Sequence, residues 1–206
     1  MAGEDGVSVG EAAPEPPRAR RSLIVTLISG LALAGLLAAV ILSGIEEART
    51  GAPVARGEPV PAFEMARFSG GTVSHEDLRG KVVMLDFWAT WCPPCVKEMP
   101  YLVRIAKDYE SRGLEFLAAS RDDPPEMARA DVGIFIVQRE PELRRFVTFA
   151  GDEVAERFGV QVLPTLYLID RDGRIIESHR GAISEQQLRA RLDEIFANEK
   201  RGQVTE

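Results

Sequence analysis

The chain has 206 residues, of which 45% are hydrophobic and 28% charged, a composition that allows a short leading segment and one domain with a single core. Its formal net charge of -7 argues against nucleic acid as the main partner, because phosphate binding needs a basic surface. Two cysteines exclude a fold held by several disulfides, so the pair is expected to serve chemistry or metal binding.

The first part of the chain is predicted to tether it to a membrane. Residues 1–21 are rich in Ala, Pro, Glu and Gly, which predicts a disordered tail. Residues 22–45 carry no charged side chain, and as a helix of about 36 Å they would cross a bilayer. Arginines precede this segment and glutamates follow it, which keeps the N-terminus in the cytoplasm. We therefore expect a single-pass membrane protein, with the rest of the chain outside the cytoplasm.

A removable signal peptide has the same polarity and is the alternative to a retained anchor. Its apolar region would be shorter than residues 22–45. The small residues that could precede a cleavage site, Ala52 and Ala55, come later, and Pro53 directly follows Ala52. We expect the anchor to be retained. Residues 46–61 contain several prolines and small residues, which indicates a linker.

The folded domain is predicted over residues 62–199, with a flexible tail over residues 200–206. Because strands alternate with helices, and a hairpin and a helix close the chain, we expect an α/β fold with a mixed central sheet. The predicted elements are a hairpin around residues 69–71, a strand at 81–88 buried on both faces, a helix at 93–111, a strand at 114–119, a helix at 125–138, a strand at 146–149, a helix at 152–158, a hairpin at 165–178 and a last helix from Ser184.

Cys92 and Cys95 stand where the buried strand has ended and the next helix begins. Free backbone N–H groups and the helix dipole favour a thiolate there, so Cys92 is expected to be the attacking sulfur. Cys95 lies one turn into the helix and is close enough to resolve a mixed disulfide while being more buried. Pro93 and Pro94 fit the first turn but remove N–H groups, which leads to the hypothesis of a pair that is not strongly oxidising.

A structural disulfide and half of a zinc site are the alternatives to a redox pair. A bridge across two residues closes almost no loop, so it contributes little stability through chain entropy. The only histidines, His75 and His179, are far away in sequence and not at metal-ligand spacing. The sequence therefore predicts redox chemistry that uses no metal and no cofactor.

Residues 86–95, DFWATWCPPC, resemble the active-site segment of thioredoxins and more closely that of the membrane-tethered TlpA, ResA and CcmG group. The resemblance covers about residues 57–197 and includes KEMP at 97–100, GVQVLPT at 159–165 and LIDRDGR at 168–174. It implies a thioredoxin fold with an additional strand and helix near residues 120–150. It also implies that the Leu163-Pro164 bond is cis and faces the cysteines, with Thr165 as a supporting neighbour, and that an extended substrate can pair with this backbone edge.

Asp86 and Glu98 are the acidic candidates for tuning the cysteines. Asp86 lies in the buried strand, where an ionised carboxylate is costly, so it is predicted to exchange a proton with Cys95. The alternative is an aspartate at a strand end that reaches solvent or a backbone amide. Some tethered relatives use an active-site glutamate, which makes Glu98 a second candidate, although a charge on a helix usually lies on its wet face. Trp91 is expected to shield the sulfurs from a more exposed position than Trp88.

The resemblance implies a thiol-disulfide oxidoreductase that reduces partner proteins outside the cytoplasm. Its electrons would come from a membrane thiol carrier, and its substrates would include the haem-binding cysteines of apocytochromes c. The same fold acting as an oxidase or isomerase stays open, because direction depends on the reduction potential. A copper chaperone is a further alternative, since thiolates select Cu(I), but His179 is not a convincing additional ligand. The charged cluster Arg121-Asp122-Asp123 is interpreted as solvated surface.

Overall fold

The computed structural model describes residues 28–40, 53–123 and 125–203, and the chain divides into two units, Met1–Glu47 and Ala48–Glu206. In the first unit, residues 28–40 form helix α1, and every side chain of this helix is exposed. Within the described ranges, no helix combines the length and the apolar composition needed to cross a membrane. The predicted N-terminal tail, both ends of the predicted anchor, the start of the linker and residues 204–206 lie outside the described residues.

In the second unit, the described residues contain a mixed sheet of seven strands in the order β2-β1-β5-β4-β3-β6-β7. Strand β3 is parallel to β4 and β4 to β5, whereas the β1–β2, β1–β5, β3–β6 and β6–β7 pairs are antiparallel. This confirms the predicted mixed sheet. The strands are β1 (Glu64–Arg67), β2 (Thr72–Ser74), β3 (Val82–Trp88), β4 (Leu114–Ser120), β5 (Val147–Phe149), β6 (Thr165–Ile169) and β7 (Ile175–Arg180).

The helices of this unit begin and end close to their predicted positions. They are α2 (Pro93–Tyr109), α3 (Pro125–Gln138), α4 (Asp152–Arg157) and α5 (Glu185–Gln203). A 3-10 turn prolongs α2, and Gly113 then ends it with a φ of 90°, a conformation that favours glycine. Ser184 and Gln187 form a reciprocal capping box that starts α5, because each side chain bonds the other residue's backbone N–H. Helix α5 runs to Gln203, into the segment predicted as a tail.

Strand β3 is buried along its whole length, as its apolar sequence predicted. Side chains alternate between the two faces of a strand. On one face, Met84 and Trp88 belong to the core that contains both cysteines and the apolar side of α5. On the other face, Leu85 and Phe87 pack with Phe158 and its neighbours in a second core. The strand that leads into the cysteine pair is therefore fixed from both sides.

Helix α3 and strand β5 are the additional helix and strand implied near residues 120–150. Strand β5 lies between β4 and β1 and pairs with both of them. The backbone N–H of Ala150, just after β5, donates to the carbonyl oxygen of Ser120 at 2.9 Å. This inserted segment thereby supports the end of β4 next to the turn that carries the cysteines.

Candidate active site

Cys92 and Cys95 are joined by a disulfide at the start of helix α2. Cys92 is the N-cap residue with extended backbone, and the N–H of Cys95 donates to its Sγ at 3.4 Å. The exposed fraction is 4% for Cys92 and 0% for Cys95, which is the predicted order of burial. When the bond is reduced, the same N–H group and the helix dipole favour a thiolate on Cys92. Pro93 and Pro94 occupy the first two helical positions.

The Leu163-Pro164 peptide bond is cis, as the resemblance to thioredoxins implies. The carbonyl oxygen of Pro164 accepts a hydrogen bond from the N–H of Gly181 at 2.8 Å, and the Thr165 hydroxyl donates to the carbonyl oxygen of Val162 at 2.7 Å. These two contacts hold the residues on both sides of the proline. Thr165 therefore has a local structural contact with the loop that precedes it.

An open groove of about 550 Å³ runs between the cysteine turn and the loop before Pro164. Trp91 and Val162 expose 65% and 49% of their surface, whereas Trp88 is buried and packs on Phe135. This confirms the predicted difference between the two tryptophans. The groove brings together the two segments that the sequence singled out, and its lining residues are Trp91, Cys92, Pro93, Pro94, Arg121, Val160, Gln161, Val162 and Leu163.

Asp86 is completely buried, and within the described part of the chain neither of its carboxyl oxygens has a hydrogen-bond partner. The alternative of an aspartate that reaches solvent or a backbone amide is therefore wrong. Asp86 lies between Met84 and Trp88 on the β3 face whose core includes Cys95. Burial raises the pKa of Asp86 well above its ordinary value, and the neighbouring Glu98 carboxyl raises it further.

Glu98 is also buried, with 2% of its surface exposed, so the interpretation as a wet helix face is wrong. The single proton of the Tyr101 hydroxyl is shared between Glu98 Oε2, at 3.3 Å, and the carbonyl oxygen of Ile183. Burial raises the pKa of Glu98 from 4.5 to about 7, although hydrogen bonds from the Ile183 backbone and from Tyr101 oppose this rise. Asp86 and Glu98 thus form a pair of acids that favour the protonated state in the core beside the cysteines.

Asp122 is a residue of this site that the sequence reasoning assigned to solvated surface. Only 9% of its surface is exposed, and its carboxylate accepts hydrogen bonds from Thr90 and Ser120. The buried position contradicts the earlier interpretation. The position of Asp122 just after a strand is a sequence signal for its place in the site, because the carboxyl ends of adjacent parallel strands meet at one edge of a sheet. Cys92 follows β3 and Asp122 follows β4.

Within the described ranges, no group of three or more His, Cys, Asp or Glu side chains is arranged so that it could hold a metal ion. His75 lies 3.4 Å from the carbonyl oxygen of Phe63, and His179 lies 3.4 Å from that of Ala182. Each imidazole therefore has a backbone contact of its own.

Comparison with known proteins places this geometry among thiol-disulfide enzymes. The Redoxin family profile matches residues 55–194. Thiol-disulfide oxidoreductase ResA of Bacillus thuringiensis subsp. konkukian is 34% identical over 140 residues, which are 68% of this chain and 78% of that protein. A crystal structure of a thiol:disulfide interchange protein DsbE from Chlorobium tepidum aligns with a TM-score of 0.62 at 28% identity, covering 69% of this chain and 98% of that one. A solution structure of a thioredoxin from Neisseria meningitidis aligns with a TM-score of 0.58 at 34% identity, covering 68% of this chain and 90% of that one.

Proposed function

Because the chain belongs to the Redoxin family and is a thiol-disulfide oxidoreductase of the ResA type, we propose that it reduces disulfides of proteins outside the cytoplasm, including apocytochromes c. This proposal depends on the position of Cys92, which caps helix α2 and lines the open groove next to the loop before Pro164. A sulfur in this position is both activated as a nucleophile and reachable by an extended polypeptide.

The reaction consists of two exchange steps at sulfur. The Cys92 thiolate attacks one sulfur of the partner disulfide, a mixed disulfide forms, and the other partner sulfur leaves as a thiolate. The Cys95 thiolate then attacks the Sγ of Cys92, which releases the second partner thiolate and closes the Cys92-Cys95 disulfide. Two electrons pass to the partner, and a membrane thiol carrier returns two electrons to this protein.

The groove is suited to bind unfolded polypeptide segments of varied sequence. The indole of Trp91 and the side chain of Val162 are exposed and line the same groove as Cys92, to which they add apolar surface. Backbone at residues 161–163 borders the same groove, where an extended substrate strand pairs with it. Apolar contact and backbone pairing suit polypeptides that are reduced before they fold, which is the condition of an apocytochrome.

Asp86 is assigned the proton transfer that Cys95 needs. Burial raises the pKa of the Asp86 carboxyl in the direction of a thiol's pKa, which lowers the cost of passing a proton between the two groups. In the second exchange step Asp86 acts in its ionised form, which its raised pKa makes a stronger base, and it takes the proton of the Cys95 thiol as that sulfur becomes the nucleophile. Glu98 adjusts this equilibrium, because its charge disfavours ionisation of Asp86.

Residues 22–45 are assigned to an anchor in a bacterial inner membrane, with the N-terminus in the cytoplasm, residues 46–61 as a linker and the catalytic domain in the periplasm. The uncharged sequence supports this assignment, as does helix α1, which exposes leucines along its whole described length. Alkaline phosphatase fused behind the chain tests it. The reporter is expected to be active and to resist extraction with carbonate, and an inactive or extractable reporter would contradict the assignment.

A trapping experiment tests the proposed function. In the full-length Cys95→Ala variant, Cys92 forms mixed disulfides that no second cysteine can resolve. We expect adducts with exported proteins on non-reducing gels, and their loss in the matched variant that lacks both cysteines. An absence of adducts that depend on Cys92, together with no reduction of insulin by the wild-type protein, would reject the function.

The reduction potential then decides the direction of exchange. A reductase such as thioredoxin has a reduction potential of about -270 mV, whereas a strongly oxidising protein of this kind has a potential of about -120 mV. We expect a value towards the reducing end, because Pro93 and Pro94 supply no N–H groups to the Cys92 thiolate. A value at the oxidising end would favour the alternative, an oxidase or isomerase.

A further inference from the structure

We propose that Asp122 is a positioning residue for the nucleophile, because its carboxylate holds the turn that presents Trp91 and Cys92 to the substrate. This inference rests on the proposed function and assigns to the same site a residue outside the cysteine motif. Asp122 is remote in sequence, and it reaches the turn only through the pairing of two parallel strands.

The contacts of Asp122 converge on one residue of the turn. The backbone N–H of Thr90 donates to both carboxylate oxygens, at 3.1 Å and 3.2 Å, and the Thr90 hydroxyl donates to Oδ1. The Ser120 hydroxyl donates to Oδ2 at 2.8 Å, and the backbone N–H of Asp122 donates to that hydroxyl oxygen at 3.2 Å. Thr90 is thus held through its main chain and its side chain at once.

Sheet topology explains why these residues meet. Strands β3 and β4 are parallel and in register, with Trp88 opposite Ser120. The N–H of Arg121 donates to the carbonyl oxygen of Trp88 at 2.7 Å, which extends the pairing beyond the last strand residue. Strands β3 and β4 therefore end at the same edge of the sheet. The segment after β3 continues to Thr90, and the segment after β4 continues to Asp122.

The position of Thr90 governs the position of Cys92. The N–H of Cys92 donates to the carbonyl oxygen of Ala89 at 3.2 Å, which closes a tight turn with Thr90 and Trp91 as its central residues. The side chain of Trp91 is exposed, whereas the hydrogen bonds of Thr90 to Asp122 tie the middle of this turn to the segment that follows β4. Attack on a disulfide depends on alignment of the sulfurs, and a displacement of about 1 Å can lower a rate about 100-fold.

A carboxylate suits this task because three donors point at it. An ionised aspartate only accepts hydrogen bonds, and its two oxygens together have about four acceptor sites. Asparagine keeps one oxygen for the two Thr90 donors and loses the acceptor that faces Ser120. The positioning role therefore predicts a graded series in which alanine is worst and asparagine is partly competent.

The test compares Asp122→Ala, Asp122→Asn and, as a control with the same loss of charge one residue away, Asp123→Ala. Each reduced protein is mixed with insulin, and the rate is followed over pH to its upper limit, where Cys92 is fully ionised. We expect Asp122→Ala to lower this limiting rate about tenfold, Asp122→Asn to recover most of it, and Asp123→Ala to match the wild type. Unfolding curves give the folded fraction of each protein, and the limiting rate is compared per folded molecule, so a loss of rate that only follows the folded fraction would contradict the positioning role.

Two results would overturn the inference. One is an equal limiting rate in Asp122→Ala and Asp123→Ala, and the other is an asparagine variant as slow as alanine, which would indicate an effect of charge. If Asp122→Ala does not fold, Thr90→Val is used instead, because it removes the hydroxyl that donates to Asp122. We expect this variant to lower the limiting rate about threefold. An unchanged limiting rate would contradict the inference. Failure of the wild-type protein to reduce insulin would reject the proposed function instead.

Discussion

Two buried acidic residues lie close to the same cysteine pair and differ in their hydrogen bonds. Asp86 is inside the core on the α2 face of strand β3, and its oxygens have no partner in the described part of the chain. Asp122 is at the edge of the same sheet, and donors from Thr90 and Ser120 satisfy its oxygens. Asp86 has no exposed surface and Asp122 has 9% of its surface exposed.

The difference shows that the surrounding donors decide what a buried carboxyl does. Without donors, burial penalises the charged form, and the pKa of Asp86 rises, which suits a group that stores and returns a proton. With three donors, a carboxylate becomes a fixed link between two segments of backbone. Asp86 is therefore suited to proton transfer, and Asp122 is suited to hold the turn before Cys92 in place.

The largest effect is expected from Asp86→Asn, which removes the proton acceptor and keeps the shape. The step in which Cys95 attacks should slow about 100-fold or more near neutral pH, the range of general acid–base catalysis. The measurement starts from a mixed disulfide between Cys92 and thionitrobenzoate, whose release is coloured. Above about pH 9.5 the difference should shrink, because thiols then ionise without help. Equal rates near neutral pH would remove Asp86 from the mechanism and break the contrast with Asp122.

A smaller effect is expected from Glu98→Gln on the free energy of unfolding. The pKa of Glu98 is about 7 in the folded protein and 4.5 ordinarily, so the unfolded chain ionises first, and wild-type stability falls as the pH rises from the lower value through the higher one. Glutamine does not titrate, so between about pH 4 and about pH 8 the variant should gain up to about 3 kcal/mol relative to the wild type. Urea unfolding at both pH values measures this change. A difference that does not vary with pH would show that Glu98 ionises normally.

The smallest of the three effects concerns Asp122→Ala. This change leaves the N–H of Thr90 and two hydroxyls without their acceptor, which should lower the free energy of unfolding by about 2 kcal/mol. Asp123→Ala removes the same charge from an exposed neighbour and should change stability by less than about 0.5 kcal/mol. Urea unfolding of both variants checks this. Equal losses would show that charge alone matters and that the satisfied carboxylate does not stabilise the turn.

Much of the fold was predictable because its signals are local. The apolar run of β3, the Gly70-Gly71 turn of the first hairpin and the cap at Ser184 depend on neighbours in sequence, and the structure has each of them. The cysteine pair and the cis bond at Pro164 followed from a motif. Local rules were therefore sufficient for the elements and for the centre of the site.

The surroundings of the site were harder to predict because they depend on contacts between distant residues. Glu98 follows a helical pattern that does not distinguish a wet face from a buried one, and its burial depends on Ile183, 85 positions later. Asp122 belongs to a charged cluster that is usually solvated, and its burial depends on the register between β3 and β4. No local pattern contains either contact.

The contact of Glu98 with Ile183 has a consequence for biosynthesis. Ile183 stands just before helix α5, whose Leu188 and Leu192 share a core with Cys95, and ribosomes synthesise this helix after all the other described elements of the domain. A nascent chain that still lacks helix α5 has both thiols but an incomplete core, so the burial that raises the pKa of Glu98 is weakened. The acid–base surroundings of the redox pair are therefore complete only once helix α5 has been synthesised, and a chain cut before this helix keeps the cysteine motif without a fully buried Glu98.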